Sequence, residues 1–448
     1  MYRTRFLRGG PGFAVSVFFL LGAACVLTGA SEEPGQDVPR DEHGAASIEY
    51  QSQVLTGLLP AEDVTQPPAA IDPVVWTAFV PEDNALSADR VALGRKLYFD
   101  TRLSQDGSVS CATCHDVTRG FTDQLPVSEG IRGQFGKRNA PTTLNVALLQ
   151  SLFLDGRSPS LEHQAKMPIL NPVEMGMPDE DTALKAISGD PEYQAAFRKA
   201  YGREVNYEDL GRAIAAFERT LVFMDSPFRR FLAGDAEAIS AQAKAGWELF
   251  NAKARCMTCH PMNPSNPLGT DNRFHNVGVS ARHQDFEALA TQALRAMEED
   301  TSEQKLDELA VGTDLSELGR FMVTRNRAEI GSFRTLLILN IGITPPYMHD
   351  GSLATLWDVI DHYNKGGEPN PFLDGGMEPL ALTEEEINQL VAFLFTLTDD
   401  RFAEENQRQF ELQRAAAEQQ RPFRDEEMAF RRTLGFEKRV QATPSTDQ

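Results

Sequence analysis

The chain has 448 residues, with 65 acidic against 43 basic side chains, a formal net charge of −22 and a pI near 4.8. No basic cluster is present to meet a phosphate backbone, so nucleic acid is excluded as a partner. The length suits two or three domains.

The N-terminus reads as an export signal over residues 1–30. Arg3, Arg5 and Arg8 give a basic start, and an apolar run from Phe13 to Leu27 follows that is short for a bilayer span. Thr28-Gly29-Ala30 is a small-residue exit for signal peptidase, which implies a periplasmic mature protein. Cys25, in Leu21-Gly22-Ala23-Ala24-Cys25, resembles a lipoprotein cleavage site, although Gly22 stands where Leu is usual. Cleavage after Ala30 and a lipid anchor at Cys25 are the two alternatives. Residues 31–82, biased toward Glu, Asp, Pro, Gly and Gln, read as a flexible linker.

An internal repeat follows. Gly94-Arg95-Lys96-Leu97-Tyr98-Phe99 precedes Cys111-Ala112-Thr113-Cys114-His115, and Gly246-Trp247-Glu248-Leu249-Phe250 precedes Cys256-Met257-Thr258-Cys259-His260. Each Gly-x-x-Leu-aromatic stretch predicts a short helix able to pack closely on another. Each Cys-x-x-Cys-His places two thiols to add across the vinyl groups of one haem, with His115 and His260 as proximal iron ligands. The alternative is a four-cysteine zinc site with both histidines incidental, which a His directly after each pair argues against. All cysteines but Cys25 are then committed to haem, leaving no disulfide framework.

Each half closes on an amphipathic helix, Leu210 to Leu221 and Ile387 to Leu397, with Phe217 and Phe393 on the apolar sides. The expected fold is therefore all-α: two class I cytochrome-c-like domains, residues 83–225 and 226–400, each with one covalent haem c. Within residues 261–330, the acidic stretch from Asp285 to Leu309 predicts a helical, solvated surface element without ligand chemistry. The tail, residues 401–448, is dense in Glu, Gln and Arg and reads as partly helical.

The stretches LGRKLYFDTRLSQDGSVSCATCH, NAPTTLN, FLDGRSPSLEHQAKMPILNPVEM and PPYMHDGSLATLWDVIDHYNKGG resemble the bacterial di-haem cytochrome c peroxidase and MauG family, over roughly Leu93 to Leu397. The resemblance implies a peroxidase that reduces hydrogen peroxide at the N-terminal haem. Electrons would come through the C-terminal haem from a small cytochrome c or cupredoxin. The alternatives are MauG-like oxidation of a residue on a partner protein and a pure electron-transfer cytochrome. The acidic surface suits a basic donor but equally serves solubility, and the resemblance admits a homodimer.

Several site residues follow by the same resemblance. Glu174 matches the distal glutamate, an acid–base whose pKa an apolar pocket would raise; by residue pattern alone it is one carboxylate in a Pro-rich loop. Gln164 matches the distal glutamine, and His163 beside it reads as a surface residue. Ile131 stands where many members carry a ligating His, so the first iron should be open. Asn139, Thr344 and Pro346 match calcium-binding positions between the haems, and oxygen donors suit that cation.

Candidates for the sixth ligand of the second iron are Met348, His349, His362 and Tyr363. Leu353, Leu356, Ile360 and Tyr363 share one stripe at helical spacing, which turns Tyr363 inward and His362 about 100° away. The family places Met here in cytochrome c peroxidases and Tyr in MauG, fourteen residues after the His matching His349. Tyr363 is therefore the expected ligand and His362 the second choice; His349 matches a family His that does not ligate. A phenolate lowers the potential that a thioether raises, which favours MauG-like chemistry. Two departures pull back: Leu154 replaces the usual inter-haem Trp, and Phe333 to Asn340 lacks the usual Pro and second Arg.

Overall fold

The computed structural model describes residues 38–59, 64–263, 267–280 and 285–421. The signal segment with Cys25 and residues 422–448 lie outside the described residues. The fold is mainly helical, with helices α1 (Ile48–Leu58), α2 (Ala88–Tyr98), α3 (Glu180–Ser188), α4 (Pro191–Tyr201), α5 (Tyr207–Glu218), α6 (Ala241–Asn251), α7 (Phe286–Glu299), α8 (Glu303–Gly312), α9 (Leu356–Asn364), α10 (Glu384–Phe395) and α11 (Ala403–Glu418), besides shorter turns. Strands β1 (Phe274–His275) and β2 (Phe333–Arg334) form a small antiparallel ladder. Among the described residues, no helix is long and apolar enough to cross a membrane.

The sequence repeat is a structural one. A Cβ built on Gly94 of α2 would lie 1.8 Å from the Ala213 carbonyl oxygen and 2.9 Å from Phe217 Cβ on α5. On Gly246 of α6 it would lie 1.9 Å from the Gln389 carbonyl oxygen and 2.9 Å from Phe393 Cβ on α10. In each pair the aromatic one turn past the glycine meets that phenylalanine edge-on: Tyr98–Phe217 at 5.1 Å and Phe250–Phe393 at 5.0 Å between centroids. Only glycine lets two helix backbones approach so closely. Gly246→Ala should therefore destabilise the protein by about 1–3 kcal/mol, the usual cost of overpacking, read as a lower urea midpoint; an unchanged midpoint would show that the helices separate freely.

Caps fix where these helices begin. Ser87, Asn206 and Ser240 each accept a backbone N–H from the first turn of α2, α5 and α6, while Thr355 with Asp358 and Thr383 with Glu386 form reciprocal boxes at α9 and α10.

Two segments depart from the sequence reading, and the tail, partly helical as read, packs more closely than its composition suggests. The stretch read as linker holds α1, whose Leu55 is fully buried. Gln51 on α1 donates from Nε2 to the Ala112 carbonyl (3.1 Å) and accepts from Val117 N–H (3.0 Å), tying this helix to the first Cys-x-x-Cys-His turn. In the charged tail, α11 buries Phe410 and Gln413. Gln413 accepts the Leu356 N–H at the start of α9 (2.9 Å) and donates to the Gly342 carbonyl (3.0 Å).

The Asp285–Leu309 stretch is not simply a solvated element. Helices α7 and α8 enclose an apolar cluster of Phe286, Ala290, Ala293, Met297, Leu309 and Phe321. Helix α8 also buries Asp307. Most of the acidic positions are exposed as expected, but the few apolar ones suffice for a small core because both helices pack on the Asp314–Leu318 turn.

Candidate active site

Both Cys-x-x-Cys-His turns open into one cavity of about 650 Å³, whose wall contains Cys111, Cys114, His115, Asn139, Gln164, Glu174, Cys256, Cys259, His260, Thr344, Pro346 and Tyr363. Most of the residues singled out for chemistry from the sequence thus lie on one surface, drawn from segments more than 250 residues apart, while Ile131 and His362 do not line it. The four described cysteines are unbridged, and no four-cysteine group forms among the described residues. His115 Nδ1 lies 3.3 Å from the Phe121 carbonyl oxygen and His260 Nδ1 2.7 Å from that of Gly269. As donors there, both rings would keep Nε2 as the ligating atom. Burial holds His115 down to about 4 and lowers His260 too, so both imidazoles are neutral, as metal ligation requires.

Glu174 sits in the loop after the short helix Met167–Leu170. Its carboxyl is buried and Oε2 has no hydrogen-bond partner among the described residues. Burial, reinforced by the negative charge of Asp307 and opposed by Arg157, pushes it up to about 8. Gln164 ends the short helix Leu161–Gln164 on the same wall. His163 turns away, with Nδ1 2.9 Å from Ser158 Oγ and Nε2 2.9 Å from Glu303. Ile131 is fully buried under Gly176, and its N–H donates to the Glu174 carbonyl at 3.0 Å.

Leu154 and Arg334 line the same cavity, the Arg334 N–H donating to the Leu154 carbonyl at 2.8 Å. The Arg334 guanidinium is buried, with Nε and Nη1 unpartnered among the described residues, and burial lowers it to about 10. Asn139 donates its N–H to the His349 carbonyl (2.8 Å) and its Nδ2 to that of Leu125 (2.8 Å), which leaves Oδ1 for a cation. His349 lies on Phe333 at 3.8 Å between centroids, with Nε2 3.1 Å from both Ser280 Oγ and Glu317.

Helix α9 separates the two ligand candidates. Tyr363 lies on the cavity wall with Leu356, Val359 and Ile360, and burial together with the nearby Cys256 and Cys259 sulfurs raises its phenol. His362 points elsewhere, its ring Nε2 2.8 Å from the Val277 carbonyl oxygen.

A family model described as di-haem cytochrome c peroxidase matches residues 88–237. The methylamine utilization protein MauG of Methylorubrum extorquens is 39% identical over 319 residues, 71% of this chain and 80% of that protein. The chain belongs to the di-haem cytochrome c peroxidase and MauG family. Cytochrome c551 peroxidase of Nitrosomonas europaea is 32% identical over 345 residues, 77% of this chain and 86% of that protein. A solved MauG-like protein associated with microbial copper homeostasis superposes with a TM-score of 0.59 at 29% identity, over 72% of this chain and 92% of that one. The protein is a haem peroxidase, and its family implies haem c as the cofactor.

The cavity fits that cofactor. It supplies unbridged thiol pairs, neutral imidazoles and a largely apolar wall. The unpartnered Arg334 guanidinium suits the carboxylate groups that haem carries.

Three residues on or behind the wall escaped the sequence reading. Met377 lines the cavity but lies in a loop, where no periodicity singles it out. Glu218, buried on α5 with Oε2 unpartnered among the described residues, is pushed up to about 8 by desolvation; it reads as one acid on an amphipathic helix. Arg157 stood inside a quoted family stretch but was assigned no role. It pairs with Asp155 and Asp307 on the distal side.

Proposed function

We propose that this is a periplasmic di-haem peroxidase, built as two cytochrome-c-like halves with covalent haems, that reduces hydrogen peroxide at an open N-terminal haem. The observation that carries the reading is Glu174, a buried carboxyl with an unpartnered oxygen on the same wall as His115 and Gln164. The two Cys-x-x-Cys-His turns would each hold one haem, with His115 and His260 as proximal ligands, and the pair would supply the redox chemistry for peroxide reduction with electrons from a small redox protein.

The chain's own residues do the rest. Glu174, whose buried carboxyl is raised to about 8, would take the proton from one peroxide oxygen and return it to the other. Gln164 orients the bound peroxide by hydrogen bonding. The apolar wall keeps bulk water out, which strengthens both interactions. Asn139 Oδ1 and the Thr344 and Pro346 carbonyls offer hard oxygen donors for calcium between the halves.

Tyr363 on the cavity wall favours a second reading, MauG-like oxidation of a partner protein, because a phenolate ligand makes the second haem a poor acceptor from a high-potential donor. Leu154 favours the first, since it cannot be oxidised as a relay.

Electron paramagnetic resonance of the ferric holoprotein should show one high-spin and one low-spin haem, because neither Ile131 nor a neighbouring side chain of its loop offers a ligand. Peroxide turnover with a reduced small cytochrome should then proceed without pre-reduction. Two low-spin haems, or activity only after pre-reduction, would overturn the open-haem assignment.

A further inference from the structure

A buried chain of alternating charges begins at the cavity wall, which Arg138 and Arg157 line. Arg138 donates from Nη1 to Asp155 Oδ2 at 2.6 Å, and Arg157 donates from Nη1 to the same carboxylate at 3.2 Å. Arg157 then donates from Nε to Asp307 Oδ1 at 2.8 Å. All four are buried; Asp307 is 5% exposed. Two guanidinium groups and two carboxylates balance, which such burial demands. Asp307 comes from α8, 150 residues beyond Arg157.

The other oxygen of Asp307 holds the loop that carries Glu174. Asn171 Nδ2 donates to Asp307 Oδ2 at 2.6 Å. Asn171 in turn accepts the Val173 N–H on Oδ1 at 3.0 Å, and its carbonyl accepts the Glu174 and Gly176 N–H groups at 3.2 and 2.8 Å. One carboxylate therefore fixes both the cation beside Glu174 and the turn that aims it.

We infer that Asp307 is a positioning residue for the distal carboxyl, compensating Arg157 and anchoring the Glu174 loop through Asn171. The inference rests on the acid–base role of Glu174. The charged groups facing Glu174 are Asp307 from α8 and Arg157 from the 155–158 turn; Cys111 and Cys114 also face it, but as thioethers in the holoprotein they carry no charge. Loss of the Asp307 charge leaves Arg157 free to stabilise a Glu174 carboxylate. Added negative charge at Asn171 does the reverse.

The test is an infrared titration of the Glu174 carboxyl in ferric holoprotein, its band identified by its loss in Glu174→Gln. Asp307→Asn should move the titration to lower pH and slow the peroxide reaction by about 10- to 100-fold, the usual effect of an outer-shell partner. Asn171→Asp, which keeps the acceptor for Val173 N–H, should move it to higher pH. Opposite shifts support the assignment, since general loosening of the fold would not change sign with charge. If Asp307→Asn does not accumulate as holoprotein, Asn171→Asp decides alone, an unmoved titration overturning the inference. A Glu174→Gln protein that reacts normally sinks the acid–base reading itself; a slow Glu174→Gln beside an unmoved Asp307→Asn sinks only the role of Asp307.

Discussion

Replacing Glu174 with Gln should slow the reaction with peroxide by about 10²–10⁴-fold, the span typical of a lost general acid–base group, with both haems still attached. The substitution keeps shape and one hydrogen-bonding oxygen but carries no exchangeable carboxyl proton. The wild-type reaction should also depend on pH. Burial raises Glu174 to about 8, so the proton-accepting form grows as pH rises through that value and vanishes below it. Rapid-mixing measurement of the Soret change across pH 5–9 should therefore show a rising limb in the parent, absent from Glu174→Gln. Gln164 and Arg157 stay in place in this variant. Both are held from outside the loop, Gln164 by its own helix and Arg157 by two carboxylates. A parent-like rate in Glu174→Gln would leave the proton transfer to another group, and the buried Glu218 on the same wall would be the next to test.

How legible these features were depends on the kind of signal each residue leaves. Gly94 and Gly246 were readable because close helix packing needs glycine at a fixed offset from a large aromatic, and the repeat showed that offset twice. That Tyr363 faces inward was readable because α9 has helical periodicity; its role as a ligand came only from the family resemblance. Glu174 was not readable from pattern alone, since nothing local separates one carboxylate from 64 others; only the family resemblance raised it. Asp307 was read as solvent-exposed because charge ordinarily marks the wet face of a helix. It occupies a buried stripe with Ala310 and Val311, three and four residues on, but a carboxylate in that stripe carries no apolar signal and its partner lies 150 residues away. Gln51 and Gln413 escaped for a similar reason: each sits in a polar, charge-rich segment and earns its burial by bonding to backbone groups of distant turns.

If Tyr363 ligates the second iron, as its place on the cavity wall supports, its substitution should have the largest effect on redox chemistry. In the protein alone the phenol is raised by burial and by two nearby sulfurs, so it stays neutral. A bound ferric iron reverses that preference, as a cation does for any coordinating acid. The holoprotein should then show a phenolate charge-transfer band that Tyr363→Phe abolishes. Tyr363→Met should raise the potential by an amount on the order of hundreds of millivolts, within the roughly 0.8 V over which axial ligands set haem potentials. Reduction by a high-potential cytochrome should become faster in the same variant. His362 is the control: its ring is already engaged at the Val277 carbonyl, so His362→Ala should leave the band intact. The opposite pattern, a band that survives Tyr363→Phe but not His362→Ala, would rotate α9 away from the geometry described above. Met377, also on the wall but in a loop, would be implicated only if Tyr363→Phe raised the potential to that of Tyr363→Met, because a thioether would then have replaced the lost phenolate unaided.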